Sequence, residues 1–521
     1  MVDSTSVLLV FVTLLTGVFV WSRRTYVYWQ RRRVKFVQPV HLLGNLKEVL
    51  WQQTSFPLLL RDYYFDPLFK HEPVVGIYLF HQPALLIRDL NLVRLILVED
   101  FVSFSMRFSK CDKRVDKLAA NSLFFVRNPE WREIRTRLSP AFTSGKIKQM
   151  FALMEEIGYD LETYLKRLTA NGNQRRNAVV NIKEICDMYN TDMIASIAFG
   201  LRSYSLRNKQ TELGSHCRDM FTLTFRRVID LCVIFFLPKF VSLLRRNLLA
   251  PAHAEFLRRT VLQVIEERER NGEMRNDLIE MLFTLKMEAA LNQDHTHFTH
   301  QQDYLVAQAA MFELTGIESC AATMSFALYE LAKQPLLQAR LRAEIRRTIG
   351  GGGGAQPSDI TYDKVMGMQY LTMVVEETLR KYPNVPILER ECTPINKKRF
   401  YPLRPYAECF VRRGMPVYIS NLAIHHDPQY WPEPERFDPQ RFTPDNRKLQ
   451  TPMSYLPFGA GPHNCIGMTI AQVQIKLGLL HFLRTHRVEI CEKTVDNIEF
   501  DRKFLLLSNK SDIYLSVEKC L

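Results

Sequence analysis

The chain contains 521 residues, of which 47% are hydrophobic and 24% are charged. This is the composition of a globular protein with a large core, and it excludes a disordered or fibrous protein. The 69 lysines and arginines outnumber the 55 aspartates and glutamates, and the net charge of +14 suits an anionic membrane, an acidic protein or a nucleic acid. Because the sequence has no zinc-finger pattern, RNA-binding signature or long basic tract, nucleic acid ranks last among these partners.

The ten cysteines are scattered along the chain without the close, regular spacing of a disulfide framework. That distribution is typical of a protein in a reducing compartment. No linker-like stretch divides the sequence, so we expect one large domain after a short N-terminal segment.

The N-terminal segment is uncharged over residues 4–22 and almost wholly apolar over residues 7–21, slightly short of the roughly 20 apolar residues of a membrane span. Five arginines follow before residue 34, and a basic flank keeps the rest of a chain in the cytosol. We therefore predict a membrane anchor over residues 1–33 and one domain over residues 34–521. A cleaved signal peptide is the alternative, but it would have basic residues before the apolar run, where Asp3 stands here.

Apolar periodicity predicts most of the remaining elements. Apolar runs at 74–80 and 84–87 predict a hairpin in a small sheet. Residues 101–125 are aromatic-rich and lack a clear period, which predicts a loop with a short helix. Two short apolar runs at 504–507 and 513–517 predict a final hairpin. Helical spacing occurs at 150–168, 191–199, 256–269, 304–333, 370–381 and 470–483.

A helix that begins after Asn128-Pro129 holds Trp131 and Arg135 four residues apart, so both side chains lie on one face. An indole N–H and a guanidinium group together suit an anionic ligand. A stack of the two side chains on the surface is the alternative.

The predicted helix over 304–333 contains Thr315-Gly316-Ile317-Glu318-Ser319. Glycine loosens a helix, and a neighbouring hydroxyl group can bond to the freed backbone. We therefore predict an interruption of the helix here, which opens a groove for a small molecule.

Three further patterns carry weaker signals. The histidines at 295, 297 and 300 lie in a polar stretch, where a solvated loop is favoured over a metal site. Five consecutive glycines from Gly350 to Gly354 indicate a flexible surface loop. Glu377 and Arg380 fall on one helix face, but this spacing alone is common.

A single cysteine, Cys465, lies in a glycine-rich loop directly before a helix that begins near Met468. Gly459, Gly461 and Gly467 allow the loop to turn its N–H groups toward the sulfur, and the positive end of the helix favours a thiolate. Thiolate is one of the axial ligands that proteins supply to haem iron. An ordinary buried thiol is the alternative.

The spacing of Phe458, Gly459, Gly461, Cys465 and Gly467 resembles the haem-binding loop of the cytochromes P450. The other motifs follow in the order of that family, and the resemblance covers nearly the whole chain. It is closest to the membrane-bound, two-component P450s of the endoplasmic reticulum, in particular to the insect branch allied to drug and insecticide metabolism. The resemblance implies a mostly α fold with a small β region, a helical prism that encloses haem b, preceded by a transmembrane anchor.

The resemblance also implies roles for individual residues. Cys465 would be the metal ligand, in a loop with Phe458 and Gly459. The haem propionates would be held by Trp131, Arg135, Arg390 and His463. The catalytic residues would be Thr315, Glu318 and Ser319, of which Glu318 and Ser319 would deliver protons. The family usually has a small residue in place of Thr315 and a threonine in place of Ser319.

Two structural expectations follow from the same resemblance. Arg436, in Pro434-Glu435-Arg436-Phe437, would join Glu377 and Arg380 in a buried charge network. The apolar run 228–237 would belong to a roof over the substrate that dips into the bilayer, with an ordinary core helix as the alternative.

The implied function is monooxygenation, in which one atom of O2 enters a lipophilic small molecule. Electrons would come from NADPH through a reductase that carries FAD and FMN, with cytochrome b5 as a further candidate donor, on the cytosolic face of the endoplasmic reticulum. The unusual residues of the central helix keep open a haem-thiolate protein that sequesters a ligand without efficient turnover. A membrane protein without haem is a third alternative.

Overall fold

The structure is a computed structural model that describes residues 4–170, 177–208, 211–221, 224–272, 275–291, 302–350, 359–502 and 507–520. Most of these residues are helical, as predicted. The α-helices in this part of the chain are Ser4–Tyr26, Lys47–Leu50, Phe56–Phe65, Leu90–Arg94, Lys117–Asn121, Glu130–Leu138, Ser144–Ala170, Ile182–Phe199, Glu212–Phe221, Phe225–Phe236, Pro251–Asn271, Leu278–Leu291, Gln302–Lys333, Pro335–Ile349, Tyr362–Gly367, Gln369–Lys381, Asn421–His425, Pro444–Leu449 and Met468–Thr485.

Nine strands form three small sheets among the described residues. The strands are β1 (Val74–Leu79), β2 (Gln82–Ile87), β3 (Asn177–Asn181), β4 (Ile387–Glu391), β5 (Phe400–Pro402), β6 (Phe410–Arg412), β7 (Pro416–Ser420), β8 (His486–Glu489) and β9 (Tyr514–Lys519). The sheet orders are β1-β2-β7-β4, β3-β9-β8 and β5-β6. The predicted hairpin is confirmed, because β1 and β2 pair antiparallel from Val74 with Ile87 to Leu79 with Gln82.

The long helices confirm the predictions from helical spacing. The helix Ser144–Ala170 shows the reason, because its buried apolar residues recur every three or four positions and so form one stripe against the core. These residues are Ile147, Met150, Phe151, Met154, Ile157, Leu161 and Leu165.

The longest helix, Gln302–Lys333, is called the central helix below, and it packs along the helix Ile182–Phe199. The predicted interruption is wrong, because the helix is continuous through Gly316. A side chain at Gly316 would place its Cβ 2.6 Å from Cδ1 of Ile194. The glycine therefore permits close packing of two helices, and the backbone hydrogen bonds are kept.

The chain end also differs from the prediction. The strand predicted at 513–517 exists as β9, but it pairs with β3 and β8. Most of the other half of the predicted hairpin, residues 504–506, lies outside the described residues, as do the histidines at 295, 297 and 300 and Gly351 to Gly354.

The predicted N-terminal anchor forms a helix, Ser4–Tyr26. Among the described residues, however, no helix combines the length and the apolar character that crossing a membrane requires. Tyr26 and Trp29, within the predicted anchor segment, are buried against the first sheet, where Trp29 Nε1 donates to the carbonyl oxygen of Ile77 at 3.1 Å.

The apolar run 228–237 lies in the helix Phe225–Phe236, except for Leu237, which follows its last residue. Val233, Ile234 and Phe236 are buried in protein, and the ring of Phe236 lies 4.8 Å from that of Phe56. At least one face of this helix therefore packs into the protein core.

Candidate active site

The loop that carries Cys465 is folded tightly by its glycines. The Cys465 N–H donates to the carbonyl oxygen of Phe458 at 2.9 Å, and the Gly459 N–H donates to that of Leu456 at 3.1 Å. Gly459 and Gly461 both have φ of +70°, and a Cβ on Gly461 would collide with the backbone of Leu97. These positions require glycine because other residues avoid such angles.

Cys465 is exposed to solvent on one side. The protein around it is nevertheless dense enough that desolvation raises the pKa of its thiol, whereas the Gly467 N–H and Arg135 act in the opposite direction. The helix Met468–Thr485 begins three residues after the thiol and adds its positive end. These groups favour the thiolate form of Cys465, and an accessible thiolate can bind a metal cation.

Arg135 and Arg390 border this loop. Arg135 donates from Nη1 to the carbonyl oxygen of Asn464 at 3.0 Å and from Nη2 to Oδ1 of the same residue at 2.7 Å. Arg390 is 2% exposed, and its Nη1 donates to the carbonyl oxygen of Glu389 at 2.8 Å. Its Nε is buried without a hydrogen-bond partner. A buried cationic N–H of this kind is costly unless an acceptor is supplied.

A third guanidinium group, that of Arg107, completes an arginine cluster of Arg107, Arg135 and Arg390. Burial lowers the pKa of Arg390 to about 9, with Arg107 acting in the same direction and Glu389 against it. Burial likewise lowers the pKa of Arg107 to about 10. In the described part of the chain, no carboxylate forms an ion pair with any of the three groups. Arg390 is buried and the other two are partly buried, and positive charge without a carboxylate partner suits an anionic ligand.

His463 lies beside this cluster and contacts Trp131. The two ring centroids are 3.9 Å apart, and His463 Nε2 lies 2.8 Å from the carbonyl oxygen of Ser105. Burial, followed by the positive charges of Arg107 and Arg390, lowers the pKa of His463 to about 2. A propionate beside the imidazole would raise the pKa of His463. The protein groups around His463 lower it instead.

Thr315 and Ser319 lie one turn apart on the central helix. Thr315 Oγ1 donates to the carbonyl oxygen of Met311 at 2.7 Å, and Ser319 Oγ donates to that of Thr315 at 2.5 Å. Next to Ser319, burial raises the pKa of the Cys320 thiol to about 12. The Ser319 hydroxyl group opposes this shift, and Cys465 adds a smaller effect in the same direction as burial. The Cys320 thiol of the central helix therefore lies within electrostatic range of Cys465.

Glu318 is held by an ion pair on another helix. Its Oε2 lies 3.0 Å from Nζ of Lys183, and the same Nζ lies 2.5 Å from Oδ1 of Asp187. Burial raises the pKa of Glu318, while Lys183 opposes the shift. Burial also opposes the charged form of Lys183, but Asp187 and Glu318 raise its pKa above the ordinary value. These groups form a chain of polar contacts from the partly exposed Asp187 to the central helix.

A buried charge network forms around Glu377 and Arg380, as predicted. Arg380 Nε lies 2.7 Å from Glu377 Oε2, and both side chains are fully buried. The predicted third member is wrong, because the side chain of Arg436 is 64% exposed and pairs with Glu433 at 3.2 Å. Arg441 takes this place, 13% exposed with its Nε 3.5 Å from Glu377 Oε1.

The reason for this error is a repeated sequence pattern. Pro439-Gln440-Arg441-Phe442 repeats the Pro-x-Arg-Phe pattern five residues after the first copy. Only the second copy forms the short 3-10 helix that packs against the helix Gln369–Lys381.

The sequence matches the family described as Cytochrome P450 over residues 38–517. The chain belongs to the cytochrome P450 family. It is 68% identical to probable cytochrome P450 6v1 of Drosophila melanogaster over the full length of both chains. It is 44% identical to probable cytochrome P450 6w1 of the same fly, over 97% of this chain and 96% of the relative. It is 35% identical to cytochrome P450 6k1 of Blattella germanica, over 98% and 97%.

This P450 is therefore similar to insect P450s of the 6 series, as the resemblance indicated. It is a monooxygenase of the haem-thiolate type, and membership of the family implies a redox partner and lipophilic substrates in general. The residues fit haem on two structural grounds. Cys465 offers an accessible thiol, and the arginine cluster, with the unpartnered Nε of Arg390, lacks the carboxylates that haem propionates would supply.

Sequence reasoning missed three residues of this P450 site. They are Arg107, Lys183 and Arg441. Arg107 lies in an aromatic-rich loop without periodicity, and Lys183 lies 135 positions from Glu318, so neither had a local signal. The second Pro-x-Arg-Phe pattern was a signal that could have identified Arg441.

Proposed function

We propose that this P450 inserts one atom of O2 into lipophilic small molecules with electrons from NADPH, delivered by a flavoprotein reductase. The observation that carries the proposal is an accessible Cys465 thiol in a glycine loop that Arg135 borders, together with the buried Arg390, whose Nε lacks a hydrogen-bond partner. The positive net charge of the chain favours association with an acidic redox partner.

In this proposal Cys465 binds the haem iron, and the loop from Phe458 to Gly467 holds the sulfur in place. The arginine cluster binds the haem carboxylates. Trp131 and His463 help to hold the same carboxylates. Haem, when bound, supplies the activation of dioxygen that amino-acid side chains cannot perform.

Glu318 and Ser319 would move protons to the reacting oxygen, and the Thr315 hydroxyl group, one turn away, would compete with that of Ser319. Glu318 lies on a polar path toward solvent, since Nζ of Lys183 contacts both Glu318 and the partly exposed Asp187. Ser319 follows Glu318 in the chain and precedes Cys320, whose thiol lies within electrostatic range of Cys465.

The test is a reconstitution of the full chain with haem, a P450 reductase, NADPH and a panel of lipophilic compounds. Oxygenated product that carries label from 18O2 would support the proposal. Binding spectra with the same compounds, but no product and no substrate-dependent NADPH oxidation, would favour the sequestering protein.

The change Ser319→Thr, combined with Thr315→Ala, is expected to raise the amount of product formed per NADPH consumed. A threonine hydroxyl has fewer side-chain rotamers than a serine hydroxyl, and the second change removes a competing hydroxyl group one turn away. Wild-type protein should therefore release more hydrogen peroxide per NADPH than the double variant. The measurement is the ratio of product, peroxide and NADPH in the reconstituted system.

Thr323→Ser provides the matched control for this experiment. Thr323 lies one turn further along the central helix, where its hydroxyl group donates to the carbonyl oxygen of Ser319 at 2.8 Å. This control should leave the product ratio unchanged. Equal ratios in the double variant and the wild type would contradict the proposed role of the two hydroxyl groups.

We further propose that the N-terminal helix attaches the protein to the endoplasmic reticulum membrane, with the catalytic domain on the cytosolic face. Trp21 on this helix lies 5.2 Å from the ring of His81, and His81 in turn lies within the electrostatic influence of Lys239. Phe240 and Leu243, close in sequence to Lys239, are exposed, Leu243 by 75%. Aromatic, basic and apolar groups on one side of the molecule suit a membrane interface.

The full chain is expected to stay in the membrane pellet after washing with alkaline carbonate. Deletion of residues 1–20 spares the buried Tyr26 and Trp29 and should weaken this retention without abolishing it. Adding Leu243→Asp to the deletion should release most of the protein, as measured by blotting pellet and supernatant.

Leu449→Asp is the control for the second membrane contact, because Leu449 is also strongly exposed but lies on a different helix, Pro444–Leu449. This change should not alter retention. Full-length protein that is released by carbonate would contradict the anchor, and equal effects of the two aspartate variants would contradict the contact at Leu243.

A further inference from the structure

The small β5–β6 sheet presents one of its faces to solvent. Val411 on β6 is fully buried, so the residues on either side of it, Phe410 and Arg412, point to the opposite face, where Phe410 is 48% exposed. Phe400 on β5 lies directly opposite Arg412 in the antiparallel register, so its side chain shares this outer face. The outer face of the sheet therefore combines aromatic and basic side chains.

Two further arginines reach the ring of Phe400. The Cζ atom of Arg399 lies 5.5 Å from the ring centroid, and that of Arg32 lies 6.0 Å from it. Arg32 is fixed in this place by Tyr28, because its Cζ lies 3.7 Å from the centroid of the Tyr28 ring and its Nη1 donates to the Tyr28 carbonyl oxygen at 3.2 Å. The fold thus joins the basic flank of the N-terminal helix to the β5–β6 sheet. We call this surface the Phe400 patch, and it consists of Arg32, Arg399, Phe400, Phe410 and Arg412.

The protein does not neutralise the Phe400 patch. In the described part of the chain, none of its three arginines forms an ion pair with a carboxylate. The nearby Glu408, between β5 and β6, already pairs with Arg404 at 2.5 Å. Arg413 next to the patch directs its donors to the backbone, at the carbonyl oxygens of Pro394 and Lys398. The patch therefore offers positive charge to a partner outside the chain.

We propose that the Phe400 patch binds the headgroups of anionic phospholipids in the membrane that holds the N-terminal helix. This inference rests on the membrane attachment proposed above. Arg32 follows shortly after the end of the helix Ser4–Tyr26, so a helix in the membrane would keep the patch at the membrane surface. Arginine binds phosphate through a planar fork of N–H donors, and an exposed phenylalanine such as Phe410 suits the boundary between headgroups and acyl chains.

The patch should give the protein a preference for anionic over neutral membranes. An arginine at the surface of an anionic leaflet strengthens binding about fivefold, so the loss of two should reduce the preference about 25-fold. The variant Arg399→Gln with Arg412→Gln removes two charges and spares Arg32, which packs on Tyr28. The preference of the wild type should also fall as salt is added, because dissolved ions screen exposed charges.

The experiment is the flotation of full-length protein, diluted from detergent, with vesicles of phosphatidylcholine alone or of phosphatidylcholine with phosphatidylserine. The measured quantity is the ratio of the partition coefficients for the two kinds of vesicle. The wild type should favour the anionic vesicles, and the double variant should lose most of this preference while it binds neutral vesicles as the wild type does.

Arg346→Gln with Arg347→Gln is the matched control. Both residues are exposed arginines, they lie on the helix Pro335–Ile349, and their replacement removes the same net charge. This variant should keep the preference of the wild type. Equal losses in the two double variants would show an effect of net charge alone and would overturn the inference.

A wild type that binds both kinds of vesicle equally would also overturn the inference, whereas a wild type that binds neither would remove the membrane attachment on which it rests. An acidic redox partner is the other candidate occupant of the patch. In that case the Arg399→Gln and Arg412→Gln variant would need more reductase for half-maximal NADPH oxidation in neutral vesicles and would keep its lipid preference. That result would overturn the inference in favour of a protein contact.

Discussion

Replacing Cys465 with alanine is expected to abolish the red-shifted Soret band that the ferrous carbon monoxide complex of a thiolate-ligated haem shows. The same change should remove all NADPH-dependent product formation. The reason is that Cys465 is an exposed thiol three residues before a helix, and the Gly467 N–H favours its thiolate form. The measurement is the carbon monoxide difference spectrum of the purified full-length protein.

Cys491→Ala is the matched control for this prediction. Cys491 is a partly exposed thiol outside the glycine loop, and its sulfur lies 3.7 Å from the carbonyl oxygen of Tyr514. This variant should keep the band and the activity of the wild type. A Cys465→Ala protein that keeps the band would show that another cysteine is the ligand.

The second large effect is expected from Glu377→Ala, which leaves Arg380 fully buried without its ion-pair partner. Breaking a buried pair from one side costs about 3–5 kcal/mol, because the remaining charge is not compensated. Most of the protein should therefore be recovered unfolded or without haem. Denaturant unfolding of detergent-solubilised full-length protein, followed by tryptophan fluorescence, measures the loss.

Arg436→Ala and Arg441→Ala distinguish the two Pro-x-Arg-Phe copies in the same assay. Arg436 is exposed, so its removal should change stability by no more than about 0.5 kcal/mol. Arg441 lies close to Glu377, so its removal should have a clearly larger effect. The assignment of Arg441 to the network would be wrong if the two variants had equal stability.

The local features of this protein were readable from the sequence. Helices such as Ser144–Ala170 and Met468–Thr485 are encoded by apolar spacing along one stretch of chain, and the hairpin of β1 and β2 by two apolar runs around a turn. Gly459 and Gly461 of the cysteine loop belong to the same class, because a positive φ is a property of the backbone at one residue.

The residues that surround the site were decided by contacts between distant parts of the chain. Arg107 and Lys183 acquire their partners only when loops and helices far apart in sequence pack together. The sequence permitted either copy of Pro-x-Arg-Phe to reach Glu377, and packing selected Arg441.

The sequence by itself determined the helical fold, the family and the loop that presents Cys465, because these depend on residue types at fixed short spacings. The tertiary structure alone decided that Gly316 serves helix packing, that β9 pairs with β3 and β8, and that His463 lies among guanidinium groups. Burial and charge balance depend on which segments become neighbours, and no short spacing in a sequence specifies that.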